Sequence, residues 1–126
     1  MGNPFVHVEL MSTDVGKAKS FYGKLFDWTL EDMPMLEDVP MGDGTYTMIK
    51  VGEGTGGGLM KNPMPNAPSS WLAYVLVDDL QKAVDKAKSL GGTVMKDKTD
   101  VTGMGSFAII KDPTGAMLGL WESKKS

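Results

Sequence analysis

The chain has 126 residues, 41% hydrophobic and 23% charged, the make-up of one folded domain with a real core. Its net charge of −3 offers no basic face for nucleic acid, and its lack of cysteine removes disulfides, thiolate catalysis and thiolate zinc sites together. No apolar run is long enough to span a membrane, and "MGNPFVHV" lacks the basic and apolar regions of a signal peptide, so a cytoplasmic location is expected.

The first element is "FVHVELMS", a strand by its alternation. It places Val6, Val8 and Leu10 on one face and Phe5, His7, Glu9 and Met11 on the other. His7 is the only histidine. Its side chain and that of Glu9 point the same way about 7 Å apart at strand spacing, too far for a direct hydrogen bond. A helix follows from Asp14, whose side chain can accept a free backbone N–H. Val15, Ala18, Phe21, Tyr22, Leu25 and Phe26 form its expected apolar stripe. Strands are expected at 28–33, 45–51 and 56–61. The irregular stretch at 30–44 is a candidate lid or an exposed loop. "GEGTGGG" at 52–58 precedes a strand rather than opening a helix and has no lysine, so it is not a phosphate loop. "NPMPNAPSS" at 62–70, with its three prolines, reads as a stiff linker.

The order then recurs. "LAYVLVDDL" is a strand with Ala73, Val75 and Val77 on one face and Leu72, Tyr74 and Leu76 on the other. Asp78 and Asp79 start a second helix, with Gln81 placed for a capping box. Leu80, Ala83, Val84, Ala87 and Leu90 carry its stripe, and Gly91 with Gly92 stops it. Strands are expected near 93–97, 106–111 and 116–122, with "KDKTD" at 96–100 a solvated loop, "KDPTG" at 111–115 a turn and the terminal "SKKS" a fraying tail.

His7 aligns with Leu72 and Asp14 with Asp79 at an offset of 65; Tyr46 aligns with Phe107, Gly58 with Gly119 and Leu59 with Leu120 at an offset of 61. The chain therefore reads as a single domain over 1–126. It is built from two β-α-β-β-β units, about 4–61 and 71–122, joined by the linker. The fold class expected is α+β, the two units forming a curled, mostly antiparallel sheet around a concave pocket. A helix covers one face of each sheet. The other face, carrying His7, Glu9 and Tyr74, is too polar for a dry core and is expected to line a partly wet cavity.

The repeat, "STDVGKAKSFYGKLFDW" and above all "GSFAIIKDPTGAMLGLWE" resemble the vicinal oxygen chelate superfamily, over about residues 4–122. That group includes glyoxalase I, extradiol dioxygenases and the bleomycin- and fosfomycin-resistance proteins. The nearest branch is the glyoxalase-related one of unknown activity. The resemblance implies divalent-metal ligands on the first and last strands of each unit. In this sequence those positions hold His7, Leu72, Gly58 and Gly119, so one of the four keeps a donor. Glu9 and Glu122 are the alternative partners for a metal at His7. Glu122, three residues beyond Gly119, needs a bulge to face inward.

Two functions compete on this reading. One is a small-molecule-binding protein of the glyoxalase/bleomycin-resistance type without an intact metal site, its pocket lined by His7, Glu9, Met60, Trp71, Leu72, Tyr74 and Trp121. The other is a divalent-metal-dependent lyase, isomerase or dioxygenase related to lactoylglutathione lyase. A metal-free variant would use His7 as base. The eleven methionines suit gap-filling or an adaptable pocket. No cofactor is expected beyond a possible divalent metal. The partners expected are a small-molecule ligand and a second copy in a homodimer, with no nucleic acid and no membrane.

Overall fold

The computed structural model describes residues 2–34, 45–62, 67–101 and 103–124. Its elements run β1 (Phe5–Ser12), α1 (Val15–Leu25), β2 (Thr29–Pro34), β3 (Thr45–Lys50), β4 (Gly57–Lys61), β5 (Ser70–Leu76), α2 (Leu80–Ser89), β6 (Thr93–Val101), β7 (Gly105–Lys111) and β8 (Met117–Ser123). The fold is mixed α+β, and its strand pairs are mostly antiparallel. The chain divides into two compact units, His7–Leu72 and Ala73–Ser126, the latter joined by the N-terminal residues through Val6. Asn3 and Pro4 belong with it because the Asn3 side chain donates to the Leu76 carbonyl at 2.9 Å and Pro4 O accepts from Leu76 N at 2.9 Å.

In the first unit β2 pairs antiparallel with β3 and β3 with β4, while β4 runs parallel to β1. The parallel pair is possible because the whole unit, helix included, forms the crossover between its first and last strands. Asp14 starts α1: its backbone is extended and its Oδ1 accepts from Lys17 N at 3.0 Å. Leu10, Ile49 and Leu59 are buried under Val15, Ala18 and Tyr22, which sit at i, i+3 and i+7 and face the sheet. Phe21 and Leu25, expected in the same stripe, are 59% and 55% exposed, and Phe26 is 45% exposed. Phe21 lies about 100° round from Tyr22 at 3.6 residues per turn, at the edge of the stripe, while Leu25 is the last residue of the helix and Phe26 its cap.

The second unit repeats the plan. β6 pairs antiparallel with β7 and β7 with β8, and β8 runs parallel to β5. Leu80, Val84, Ala108 and Leu120 form its core with Val77 and Ala83 against them. Asp79, rather than Asp78, is the helix cap, accepting from Lys82 N at 3.1 Å. The capping box does not form, because the Gln81 side chain turns along the helix to Asp85 at 3.1 Å. Gly91, at φ +95°, closes the helix, and Gly92 N reaches back to Ala87 O at 2.8 Å. Leu90 falls at this exit and is exposed.

Two boundaries differ from expectation. The segment 96–100, expected as a loop, lies inside β6, whose register shifts twice between Val94 and Thr99. An outer strand tolerates such bulges and charges because one of its edges stays in water. The stretch at 30–44 is strand as far as Pro34, and the lid proposed for it falls on residues 35–44, outside the described ones. Part of the linker (63–66) and the last two residues also lie outside them. No described helix is long and apolar enough to cross a membrane.

Candidate functional site

Strand alternation and register decide what shares a face with His7. Glu9 lies opposite Gly58 on β4, and Gly58 lies opposite Met48 on β3. Paired residues project to the same side of a sheet, as do residues two apart on one strand. His7, Glu9, Gly58, Met60 and Tyr46 therefore share the face away from α1. Leu10, Leu59 and Ile49 occupy the helix face.

Tyr46 ties this face together. Its Oη donates to Glu9 Oε1 at 2.9 Å and lies 2.7 Å from His7 Nε2. To reach Glu9 from β3, the ring must cross β4, and it does so over Gly58. A Cβ at Gly58 would fall inside the phenol. A tyrosine has one proton, and here it points to Glu9, so His7 Nε2–H donates to Tyr46 Oη. The ring's basic nitrogen is then Nδ1. Burial holds the imidazole below its ordinary value of 6.5. The gap of about 7 Å between His7 and Glu9 is thus bridged by a phenol. Sequence reasoning missed Tyr46 as the bridge. The signal was a glycine in the middle of a strand, a common mark of close approach by another group.

The second unit has the same register and different chemistry. Tyr74 lies opposite Gly119, and Gly119 opposite Ile109. The Tyr74 ring leans over Gly119, its Cγ 2.8 Å from where a Cβ would stand, and meets Phe107 edge-on with centroids 6.3 Å apart. Glu9, Tyr46 and Gly58 in one unit stand where Tyr74, Phe107 and Gly119 stand in the other. Both glycines lie beneath an aromatic ring, supplied from β3 in the first case and β5 in the second.

The remaining expected site residues divide. Trp121 shares the Tyr74 face of the second unit, being paired with Phe107. Met60, Leu72 and Tyr74 are 1%, 2% and 4% exposed, so they are packed. Trp71 is not on the Tyr74 face. It alternates to the helix side, where its ring meets Tyr22 and Trp28 edge-on at 5.5 and 6.4 Å. Glu122 also faces the helix layer. β8 stays in register through Ser123, so no bulge turns Glu122 inward, and its Oε1 accepts from Leu80 N at 2.7 Å at the start of α2.

The donors do not fit a divalent ion. Leu72 has no donor atom, the space above Gly58 holds the Tyr46 phenol, and that above Gly119 holds the Tyr74 ring. Glu122 is engaged at the helix. Among the described residues, no three His, Cys, Asp or Glu side chains cluster as ligands. A catalytic divalent site typically takes three protein donors.

Comparison with known proteins agrees with this architecture. Residues 5–120 match the family model described as the Glyoxalase/Bleomycin resistance protein/Dioxygenase superfamily. A Mycobacterium tuberculosis protein named "Putative glyoxylase CFP32" is 38% identical over 122 residues, which is 94% of this chain and 45% of that one. The anthracycline biosynthesis protein DnrV of Streptomyces peucetius is 27% identical over 127 residues, covering 90% of this chain and 44% of its own. This chain thus spans about half the length of the curated relatives it matches. The crystal structure of methylmalonyl-CoA epimerase from Mycobacterium tuberculosis superposes with a TM-score of 0.71 at 16% identity, covering 96% of this chain and 88% of that one, a likeness of fold. The strand order, the paired units and the family match lead to one conclusion: this chain belongs to the Glyoxalase/Bleomycin resistance protein/Dioxygenase superfamily.

Proposed function

We propose that this chain is a small-molecule-binding protein of the glyoxalase/bleomycin-resistance type that works without a resident metal. The observation carrying this reading is the Tyr46 phenol over Gly58. It occupies the space a chelating side chain would need and draws His7 and Glu9 into its own hydrogen bonds. The three groups share one face of the sheet with Met60, and in this reading they are the polar side of the ligand site. Such a site orients a largely apolar ligand through a few fixed polar atoms. The name of DnrV suits a planar aromatic ligand class. A homodimer in the cytoplasm remains part of the proposal, and sedimentation velocity tests the dimer.

The test is paired. Thermal-shift screening against planar and apolar compounds should give stabilisation that rises with ligand concentration as mass action requires. Elemental analysis after loading with Zn²⁺, Ni²⁺, Mn²⁺ or Fe²⁺ should find metal well below one equivalent. A stoichiometric ion lost in the His7→Ala variant would overturn the reading.

A second reading, proton transfer without a metal, is favoured by the hydrogen-bonded chain from His7 through Tyr46 to the buried Glu9. In it His7 Nδ1 accepts a proton, Nε2–H passes one to Tyr46, and the Tyr46 proton moves to Glu9. Exchange of a substrate C–H proton with deuterated solvent, lost in Tyr46→Phe, distinguishes it from simple binding.

A further inference from the structure

The outer side of α1 does nothing for the site just described and little for the core. Phe21 and Leu25 stand one turn apart and are more than half exposed, and Phe26 and Trp71 are 45% and 41% exposed. Phe21 meets the Tyr22 ring at 5.0 Å between centroids, and through Tyr22 the patch reaches Phe26 at 6.3 Å and Trp71 at 5.5 Å, where α1 meets the sheet. Single exposed apolar residues are ordinary, but a contiguous aromatic patch marks an interaction surface. Lys17, Ser20 and Lys24 line a shallow, widely open groove on the α1 surface together with Phe21 and Leu25. Neither lysine makes an ion pair with a described residue, whereas Lys19 beside them is held by Asp32 at 2.8 Å.

Charge narrows the occupant. Within Val15–Leu25 there are three lysines and no carboxylate, in a chain whose net charge is −3. A second copy packing α1 on α1 would bring those lysines together. An anionic membrane would gain two lysines at this face against an acidic protein, too little for stable attachment. A polypeptide with bulky apolar side chains flanked by carboxylates matches both the groove and its rim. The curated relatives also carry more than half their length outside the matched region, so similar domains do adjoin further polypeptide. We propose that the outer face of α1 docks an acidic amphipathic segment of another polypeptide. Its apolar side chains would seat between Phe21 and Leu25 and its carboxylates would meet Lys17 and Lys24.

The test is a titration of isotope-labelled protein, followed by NMR, with three probes. They are a synthetic helical peptide carrying Leu and Trp on one face and Glu beside them, its Glu-to-Lys counterpart, and phosphatidylserine vesicles. The proposal expects the acidic peptide alone to shift the amides of Lys17, Phe21, Lys24 and Leu25. The Lys17→Glu/Lys24→Glu double variant should weaken that binding by about tenfold, and Phe21→Ser by a similar factor. The lysine variants change exposed side chains and leave the fold unchanged by circular dichroism. Equal binding of both peptides, binding of vesicles but not the acidic peptide, concentration-dependent shifts of the same amides without any probe, or no shift at α1 would each overturn it.

Discussion

The phenol of Tyr46 stands where a side chain on Gly58 would begin. The two residues are on neighbouring strands, and the ring crosses the glycine to place its hydroxyl between Glu9 and His7. The absence of a side chain at one position is therefore the condition for a polar bridge between two others.

Gly58→Ala should be destabilising although alanine suits a strand better than glycine. The added methyl meets the phenol, and overpacking of this kind costs about 1–3 kcal/mol. In urea unfolding, most of that cost should vanish when Tyr46→Ala is combined with it, because the two residues contend for one space. Gly119→Ala and Tyr74→Ala should behave as a parallel pair. Additive effects in either cycle would show that the rings do not cover the glycines.

Tyr46→Phe keeps the ring and removes the hydroxyl. Glu9 loses a donor and His7 Nε2–H loses an acceptor, which should cost about 1–3 kcal/mol since both groups are largely buried. Chemical denaturation measures it. The His7 ring resonances in NMR should shift in the same variant, a change that loss of packing elsewhere would not produce.

Acid stability has a definite sign. Burial places the folded value of His7 below its ordinary 6.5, so the unfolded chain takes up a proton at higher pH than the folded one. The stability contributed by neutral His7 is complete above about pH 6.5 and is lost as pH falls from there through the folded value. Denaturation midpoints followed downward from pH 6.5 should fall more steeply for the native chain than for His7→Gln. Equal slopes would mean that His7 titrates alike in both states.

Glu122→Ala should weaken α2 rather than any ligand site. It removes the acceptor of Leu80 N at the helix start, a loss of about 0.5–2 kcal/mol on the scale of helix caps. Thermal unfolding should register the loss, while ligand responses found in the screening stay unchanged.

The amino-acid order by itself determined a good deal. Alternation at Val6, Val8 and Leu10 against His7 and Glu9, the caps at Asp14 and Asp79, and the glycine stop at Gly91 are local codes. Each acts within one turn or one strand, so each can be read without knowing the neighbours. The resemblance carried by "GSFAIIKDPTGAMLGLWE" placed the superfamily for the same reason: strand, tight turn and strand lie together in the chain.

What only the tertiary structure decided was which side chains meet across strands. Tyr46 is 37 residues from Glu9 along the chain, and the register of β1 on β4 and β4 on β3 brings them together. Strand alternation already turns Trp71 and Glu122 away from the Tyr74 and Gly119 face, but their partners, Tyr22 for the one and Leu80 N for the other, come from helices distant in the chain. Helix periodicity could name the apolar residues of α1, but packing on Leu10, Ile49 and Leu59 chose Val15, Ala18 and Tyr22 and left Phe21 and Leu25 in solvent.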